Sequence, residues 1–402
     1  MPVISRQSYA EHIDRWLGKE QIIVLVGQRR VGKSYVMKDF IARHQNEPDA
    51  NIVYIDKEKS TFDFIRNYEH LNAYLAEHFR SECHNYILID EVQDIEGWEN
   101  SIRSYRTEDN TDIIITGSNS KMLSGELSTL LGGRYEEIHI YGLSFLEFLQ
   151  FHGLDDSDEA LWLYMNYGGL PGLKNIGLEN EDMVWEYLSG VFNTVMYKDV
   201  VERHVIRNSV FLSNLIAFMA DSVGKLNSAN SIAKYMKSTG LDISTNVVLK
   251  YMDYFREVYL VHTVGRYDIH GKKLLESNDK CYFGDVGLRN YLVGGERGKD
   301  IEKVMENVVF LQLLRLGYTV KIGQLRAGEI DFVCTKSGKK AYVQVAYLIA
   351  SDETEKREFG SLHQIPDDYP KYVISASPMH KQSDHGGVLH LHLREFLKKG
   401  LL

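Results

Sequence analysis

Short apolar runs alternate with helical stretches along residues 1–150 of the chain. The runs are rich in isoleucine and valine, and none alternates cleanly with polar residues, which is typical of strands buried on both faces of a parallel sheet. They lie at residues 22–26, 52–55, 86–89, 113–116 and 138–140. Strands that alternate with helices predict a doubly wound α/β domain over residues 1–150.

The pattern changes three times after this point. Apolar residues at helical spacing, broken by the glycine-rich segment 168–172, predict a helical lid over residues 151–222. A short helix, a turn, a longer helix capped near Ser244 and a β-hairpin predict a winged helix over residues 223–297. A helix followed by four strand-like runs predicts a second, small α/β domain over residues 298–402.

Composition narrows the class of protein. With 402 residues, 44% apolar and 25% charged, the chain is an ordinary globular protein of several domains. Its cysteines, Cys83, Cys281 and Cys334, form no CxxC pair, which argues against a disulfide framework or a zinc site. No signal-peptide pattern and no apolar run of ~20 residues is present, so we expect a cytoplasmic protein without a membrane partner. The net charge of −10 argues against coating nucleic acid over the whole surface, but it allows one local basic face.

An octapeptide between the first predicted strand and the next helix fits the phosphate-binding pattern G-x-x-x-x-G-K-[ST]. It reads Gly27-Gln28-Arg29-Arg30-Val31-Gly32-Lys33-Ser34. The glycines let the backbone curl around an anion, and the helix directs its positive end at the phosphates. The lysine supplies charge to the β- and γ-phosphates, and the serine hydroxyl is a ligand for Mg²⁺. A chance match is the alternative, but the strand-loop-helix context favours a bound nucleotide. The two arginines face solvent, nucleotide or a bound polymer, and the sequence leaves all three open.

Two carboxylates follow the third predicted strand, where four apolar residues run directly into Asp90 and Glu91. Downstream of a phosphate-binding loop, this predicts that Asp90 holds Mg²⁺ through water and that Glu91 is the general base for the attacking water. An acidic loop after any buried strand is the alternative. No Asn-Lys-x-Asp motif is present, which favours ATP over GTP, and the second carboxylate favours hydrolysis over kinase chemistry.

Three further residues are candidates for contact with the γ-phosphate or the water. Ser118 and Asn119 follow the fourth strand, and a polar side chain there can lie between the two catalytic strands. A capped loop is the alternative for both. Arg134 precedes the fifth strand and is a candidate to reach the γ-phosphate of a neighbouring subunit, which would require a homo-oligomer. A surface arginine or a structural salt bridge is the alternative for Arg134.

Taken together, these motifs resemble the AAA+ type ATPases of bacteria and archaea that carry an uncharacterised C-terminal domain. The resemblance rests on the two nucleotide motifs and on Thr116–Asn119, and it extends to later segments along nearly the whole chain. Those segments are Gly133-Arg134, Leu143-Ser144-Phe145, Gly168-Gly169-Leu170-Pro171, Tyr197-Lys198-Asp199-Val200, Gly328-Glu329-Ile330-Asp331-Phe332 and Val343-Gln344-Val345. The resemblance implies ATP and Mg²⁺ as ligands and leaves the biological role open.

The last domain resembles the PD-(D/E)xK nuclease fold. Such a site needs an acid on the first helix, an aspartate on one strand and Glu-x-Lys on the next, which together hold Mg²⁺. Glu306 and Asp331 match the first two positions, but Gln344 replaces the glutamate and Ala346 replaces the lysine. We therefore predict a nuclease-like domain that is inactive or severely impaired. Two buried, hydrogen-bonded acids with no site chemistry are the alternative.

The predicted winged helix offers two kinds of partner. Thr245, Asn246 and Lys250 are candidate readers of a DNA major groove on its second helix. Acidic residues interrupt the basic ones in this region, so packing against a protein is the alternative. The chain is thus predicted to be an ATPase that acts on or near double-stranded DNA, or else a nucleotide-gated switch that binds a protein partner.

Overall fold

The computed structural model describes residues 4–118, 131–204, 206, 208–294, 300–326, 328–349, 351–377 and 383–401. The chain divides into two compact units, which are described separately below. The first comprises Met1–Tyr141 with Glu257–Tyr259, and the second comprises Gly142–Arg256 with Leu260–Leu402. The four predicted domains and their boundaries remain a prediction.

The first unit is built on a parallel sheet, as predicted. In its described residues the five strands are ordered β2-β3-β4-β1-β5, and every neighbouring pair is parallel. The strands are β1 (Ile22–Val26), β2 (Ala50–Asp56), β3 (His84–Asp90), β4 (Thr111–Gly117) and β5 (Tyr135–His139). The helices described with them are α1 (Gln7–Trp16), which precedes β1, and α2 (Lys33–His44), α3 (Tyr68–His78) and α4 (Trp98–Tyr105).

Burial along these strands follows their place in the sheet. Every residue of the inner strand β1 is buried, whereas buried and half-buried residues alternate along the edge strand β2. A central strand of a parallel sheet is covered on both faces, while an edge strand has fewer neighbours. The parallel order brings the carboxyl ends of β1, β3 and β4 to one edge, where the predicted nucleotide motifs begin.

The second unit opens with helices, as the spacing of its apolar residues predicts. They are α5 (Phe145–His152), α6 (Asp158–Tyr167), α7 (Leu173–Ile176), α8 (Glu181–Thr194) and α9 (Ser209–Asp221). A π-helical segment, Val195–Glu202, follows α8 directly. A capping box at Ser144 and Glu147 fixes the start of α5, because each side chain bonds the other residue's backbone N–H.

The rest of the second unit forms one mixed sheet with helices beside it. In the described residues its nine strands are ordered β13-β14-β12-β11-β10-β9-β7-β8-β6. The strands are β6 (Leu226–Asn227), β7 (Val261–Asp268), β8 (Lys273–Phe283), β9 (Thr319–Gln324), β10 (Glu329–Lys336), β11 (Lys339–Ala346), β12 (Lys371–Ser375), β13 (Ser383–His385) and β14 (Val388–His392). The helices are α10 (Ala229–Ser238), α11 (Thr245–Glu257), α12 (Val286–Val293), α13 (Ile301–Arg315), α14 (Asp352–His363) and α15 (Leu393–Lys399).

The hairpin of the predicted winged helix belongs to this same sheet. Strands β7 and β8 pair with each other, and Arg266–Asp268 of β7 pairs in parallel with Ile322–Gln324 of β9. The predicted boundary at residue 298 therefore falls between strands that share hydrogen bonds.

The glycine-rich segment after α6 has a structural explanation. A Cβ on Gly168 would lie 2.4 Å from a carboxylate oxygen of Asp285, and one on Gly169 would lie 2.5 Å from the Leu143 carbonyl oxygen. Asp285 caps α12 by accepting the Leu288 N–H, and it also accepts the Gly169 N–H. Only residues without a side chain allow the loop to approach this closely.

Candidate nucleotide-binding site

The loop between β1 and α2 has the backbone of a phosphate cradle. Gly27 has φ +145°, and a Cβ there would lie 2.2 Å from the Ile140 carbonyl oxygen. Gly32, immediately before α2, has φ +101°. Arg30 also has a positive φ of 71°, which is uncommon for a residue with a side chain. Such alternating conformations turn successive N–H groups towards one point, where an anion is stabilised.

Lys33 lies under this loop with its ammonium directed back at it. Its Nζ donates to the carbonyl oxygens of Gly27 and Gln28 at 3.0 and 3.2 Å. The same atom lies 3.8 Å from Glu91 Oε1. The lysine is 4% exposed, so its charge acts in a site largely shielded from water.

Asp90 ends β3 and is held by hydroxyl groups. The Thr116 hydroxyl, on the neighbouring strand β4, donates to Asp90 Oδ1 at 2.6 Å, and the Tyr54 hydroxyl donates to Oδ2 at 3.3 Å. Burial raises the pKa of Asp90, and the hydroxyls of Thr116 and Ser34 beside it oppose that rise. Ser34 and Asp90, the two predicted magnesium residues, are therefore neighbours.

Glu91 lies at the start of the loop after β3 with a left-handed backbone, at φ +55°. Its N–H donates to Thr116 Oγ1 at 2.8 Å, which fixes the turn against β4. Burial alone would raise the pKa of Glu91, but the Lys33 ammonium, a hydrogen bond from Gln93 and the Arg29 charge outweigh burial, and the pKa is lowered. Glu91 is therefore a carboxylate at neutral pH, as a general base must be.

The other predicted residues fall into three groups. Ser118 is buried beside the Glu91 carboxylate. Arg29 pairs with Glu58 at 3.3 Å, whereas Arg30 is exposed and Val31 is buried. Asn119 lies outside the described residues.

Arg134 lies away from this edge of the sheet. It immediately precedes β5, and its carbonyl accepts the N–H of Ile22 at the beginning of β1. The phosphate loop follows the opposite end of β1, roughly 15 Å away at ~3.3 Å per residue. Within one chain, exposed Arg134 therefore does not join the site, and its predicted role in a neighbouring subunit stays a prediction.

The sequence predicts no role for four further contributors to the site. Tyr54 and Thr116 hold Asp90, Gln93 donates to Glu91 Oε2, and Arg6 donates to the carbonyls of Val31 and Tyr141 at 3.1 and 2.8 Å. Thr116 was recognised only as part of a motif. Tyr54 lies in the predicted strand 52–55 and Gln93 lies two residues after Glu91, but neither belongs to a motif. Arg6 reaches the loop only through the fold of the chain.

These residues fit a nucleotide and a magnesium ion. Gln28 is 3% exposed, and neither polar atom of its side chain has a hydrogen-bond partner in the described part of the protein. Buried polar atoms normally have partners, and a ligand bound at the loop would supply them to Gln28. Mg²⁺ keeps several waters and needs few protein ligands, which agrees with one hydroxyl and one carboxylate. No cluster of three histidine, cysteine or acidic residues able to hold a metal occurs among the residues described.

Comparison with known proteins defines the class. Residues 19–149 match the AAA domain family, and residues 158–299 match a domain of unknown function. The fold resembles a Walker-type ATPase of Pyrococcus abyssi, with a TM-score of 0.50 over 72% of this chain and 95% of that chain at 16% identity. The first unit is therefore an AAA-type P-loop domain.

Two relatives define the family more narrowly. An uncharacterised protein of Haemophilus influenzae is 34% identical over 98% of both chains. An uncharacterised protein of Methanocaldococcus jannaschii is 30% identical over 84% of this chain and 76% of its own length. The chain belongs to the same family as these two proteins. No helix in the described ranges is long and apolar enough to cross a bilayer.

Proposed function

We propose that the protein hydrolyses ATP in a magnesium-dependent reaction at the loop Gly27–Ser34. The observation that carries this proposal is the position of the Glu91 carboxylate, 3.8 Å from the Lys33 ammonium, with its backbone held against β4 through Thr116. Bound Mg²⁺ would supply charge to the β- and γ-phosphates. Lys33 would bind the same phosphates, Asp90 and Ser34 would hold the ion, and Glu91 would accept a proton from the attacking water.

The test of this proposal separates binding from hydrolysis. Glu91→Gln removes the base but keeps the size of the side chain, so hydrolysis should fall about 10²–10⁴-fold while ATP binding persists. Lys33→Ala should abolish tight binding, because the loop loses its buried ammonium. Normal turnover by the Glu91→Gln protein would show that another group is the base.

We further propose that ATP turnover is coupled to double-stranded DNA. The order helix, turn, helix and hairpin from α10 to β8 supports this, and Asn246 and Lys250 are exposed on α11. Purified protein should hydrolyse ATP faster with DNA, and the stimulation should weaken steeply with salt because cation–phosphate contacts release counterions. Lys250→Ala should reduce the salt slope, with Lys19→Ala, a lysine of the first unit, as its control.

A protein partner is the second candidate, and two observations favour it. Lys237 is paired with Asp242 at 3.1 Å, and Arg256 contacts Asp253, so these cations are partly neutralised. Tyr235 and Leu249 on α10 and α11 are about half exposed, at 50% and 48%. Exposed apolar side chains suit a protein surface better than a phosphate backbone. Hydrolysis that is indifferent to DNA would favour this candidate.

We propose, last, that the C-terminal block has no nuclease activity. Ala346, in the place of the motif lysine, supports this, as does Gln344, whose amide donates to Glu358 at 3.0 Å. DNA cleavage that depends on Asp331 would overturn it.

A further inference from the structure

A buried lysine lies among three carboxylates in the second unit. Nζ of Lys280, on β8, lies 2.8 Å from Glu329 Oε1, 3.1 Å from Glu306 Oε1 and 3.4 Å from Asp331 Oδ1. Lys280 is 1% exposed, so these carboxylates take the place of water around its charge. We call these four side chains the carboxylate centre.

Other protein groups also contact two of the three carboxylates. The Tyr282 hydroxyl donates to Glu306 Oε1 at 2.6 Å, and the Val345 N–H donates to Asp331 Oδ2 at 2.9 Å. Gly224 closes one side, since a Cβ there would lie 2.7 Å from Glu306 Oε2. The ammonium is therefore enclosed, whereas Glu329, whose side chain is 34% exposed, leaves the centre partly open to solvent.

The irregular sheet explains how a lysine on β8 reaches an acid on β10, although β7 and β9 lie between these strands. Among the described residues, β7 pairs with β9 only through Arg266–Asp268, whereas Lys280 pairs with Val264 in the part beyond. Asp331 lies where the register of β10 shifts, between Ile330 and Val333. Both side chains thus belong to the region where regular pairing is interrupted.

Electrostatics require a cation at this place. Two or more carboxylates brought together away from water cannot all stay ionised unless a positive charge compensates them. Burial alone would lower the pKa of Lys280, but the three carboxylates outweigh burial and raise it far above its usual value. The lysine is therefore charged at neutral pH.

The distances fit an ammonium rather than a metal. Oxygen ligands lie about 2.0–2.1 Å from Mg²⁺ and about 2.3–2.6 Å from Ca²⁺. The three distances from Lys280 Nζ, 2.8 to 3.4 Å, are those of charged hydrogen bonds and close ion pairs. We propose that Lys280 is the built-in cation of the carboxylate centre, which makes the C-terminal block independent of metal and fastens β8 to it. This inference does not depend on the ATPase proposal.

A double-mutant cycle on the full-length, nucleotide-free protein tests the inference. Lys280→Met removes the charge but keeps the length of the side chain, and should lower Tm by roughly 6–20 °C, because uncompensated buried acids remain. Asp331→Asn should restore part of that loss in the Lys280→Met protein, and it should raise Tm less, or not at all, when Lys280 is present. Lys237→Met is the matched control, since its pair with Asp242 is exposed and should change Tm little.

Two results would contradict the inference. A Lys280→Met protein as stable as the Lys237→Met control would overturn the inference. If Lys280→Met does not fold, the Asp90→Asn protein decides, because its nucleotide site lacks the carboxylate proposed to hold the metal. Its Tm should be the same in millimolar Mn²⁺ and in EDTA. A Mn²⁺-dependent rise in Tm that Asp331→Asn abolishes would mean that a metal, not Lys280, neutralises the acids.

Discussion

Thr116 connects the two carboxylates of the nucleotide site through one hydroxyl group. That hydroxyl donates to Asp90 and accepts the N–H of Glu91. Thr116→Val keeps the shape but leaves both partners unsatisfied in a buried place, which should cost about 1–3 kcal/mol. We expect ATP turnover to fall at least tenfold with a smaller change in nucleotide affinity, measured by steady-state kinetics and by titration of a fluorescent ATP analogue.

The matched control is Thr116→Ser, which retains the hydroxyl and loses only a methyl group. It should recover most of the turnover lost in Thr116→Val. Equal loss in both variants would mean that packing of the methyl group, rather than the hydrogen bonds, matters at this position.

The carboxyl group of Asp331 should make the stability of the protein depend on pH. Burial and the nearby Glu306 raise its pKa, although Lys280 and the Val345 N–H oppose the rise. The folded state therefore holds more protons than the unfolded state between about pH 4, where an unfolded aspartate titrates, and the higher folded pKa. Through that window this group lowers the free energy of unfolding as pH rises, by at most about 1.4 kcal/mol per pH unit.

Asp331→Asn should remove this contribution, so the variant should lose less stability than the wild type as pH rises through the window. Urea denaturation at a series of pH values measures how the free energy of unfolding changes with pH. Asp242→Asn, at an exposed position, is the control. A wild type and an Asp331→Asn protein with parallel pH profiles would contradict the prediction.

The residues predicted from sequence are those whose chemistry is encoded locally. The phosphate loop, Asp90 and Glu91 each follow a buried strand within a fixed spacing, so strand order alone brings them to one edge. Tyr54 and Arg6 act at the same site only because distant segments meet there, whereas Gln93 is close in sequence but belongs to no motif. Lys280 shows the same limit, since the sequence reveals the absence of a lysine at Ala346 but not its presence on another strand.

Among the secondary-structure elements, Asp285 joins a glycine loop to a helix. It caps α12 through the Leu288 N–H and also accepts the Gly169 N–H. Asp285→Ala should destabilise the protein by about 2–4 kcal/mol, because a helix cap is lost and a second buried N–H is left without a partner. Chemical denaturation followed by circular dichroism measures the change.

Asn180 provides the comparison, since it caps the start of α8 at an exposed position. Asn180→Ala should cost about 1 kcal/mol, as exposed helix caps do. If both substitutions cost the same, the bond from Gly169 adds nothing to the cap.

Most helices and strands could be predicted because their apolar period is strong. The strands of the first unit extend one or more residues beyond several of the predicted runs, since polar residues such as Asp90 still pair within the sheet. The second partner of β7, strand β9, could not be predicted. The pairing of β7 with β9 joins segments more than fifty residues apart, and no local signal specifies such a contact.

For the whole molecule, the mixed sheet predicts how the chain can be divided. A fragment of residues 298–402 lacks β6, β7 and β8, which uncovers the edge of β9 and removes Lys280. We expect this fragment to aggregate or remain unfolded, because an open strand edge and uncompensated acids both disfavour it. Residues 142–402, which keep the whole sheet, should fold better.

Size-exclusion chromatography and far-UV circular dichroism compare the two fragments. A monomeric fragment 298–402 with cooperative unfolding would instead support the predicted domain boundary at residue 298. The parallel sheet of the first unit poses no comparable question of boundaries, because a local apolar run predicts each of its strands.

The position of Lys280 also constrains how this family can change by descent. A lineage cannot exchange the block after residue 298 for a foreign one without also replacing the strand that carries the lysine. Loss of Lys280 alone would leave three acids without a compensating cation, which would destabilise the protein. Homologues that differ here should therefore have changed the lysine and at least one of Glu306, Glu329 and Asp331 together, so that hairpin and block are inherited as a single piece.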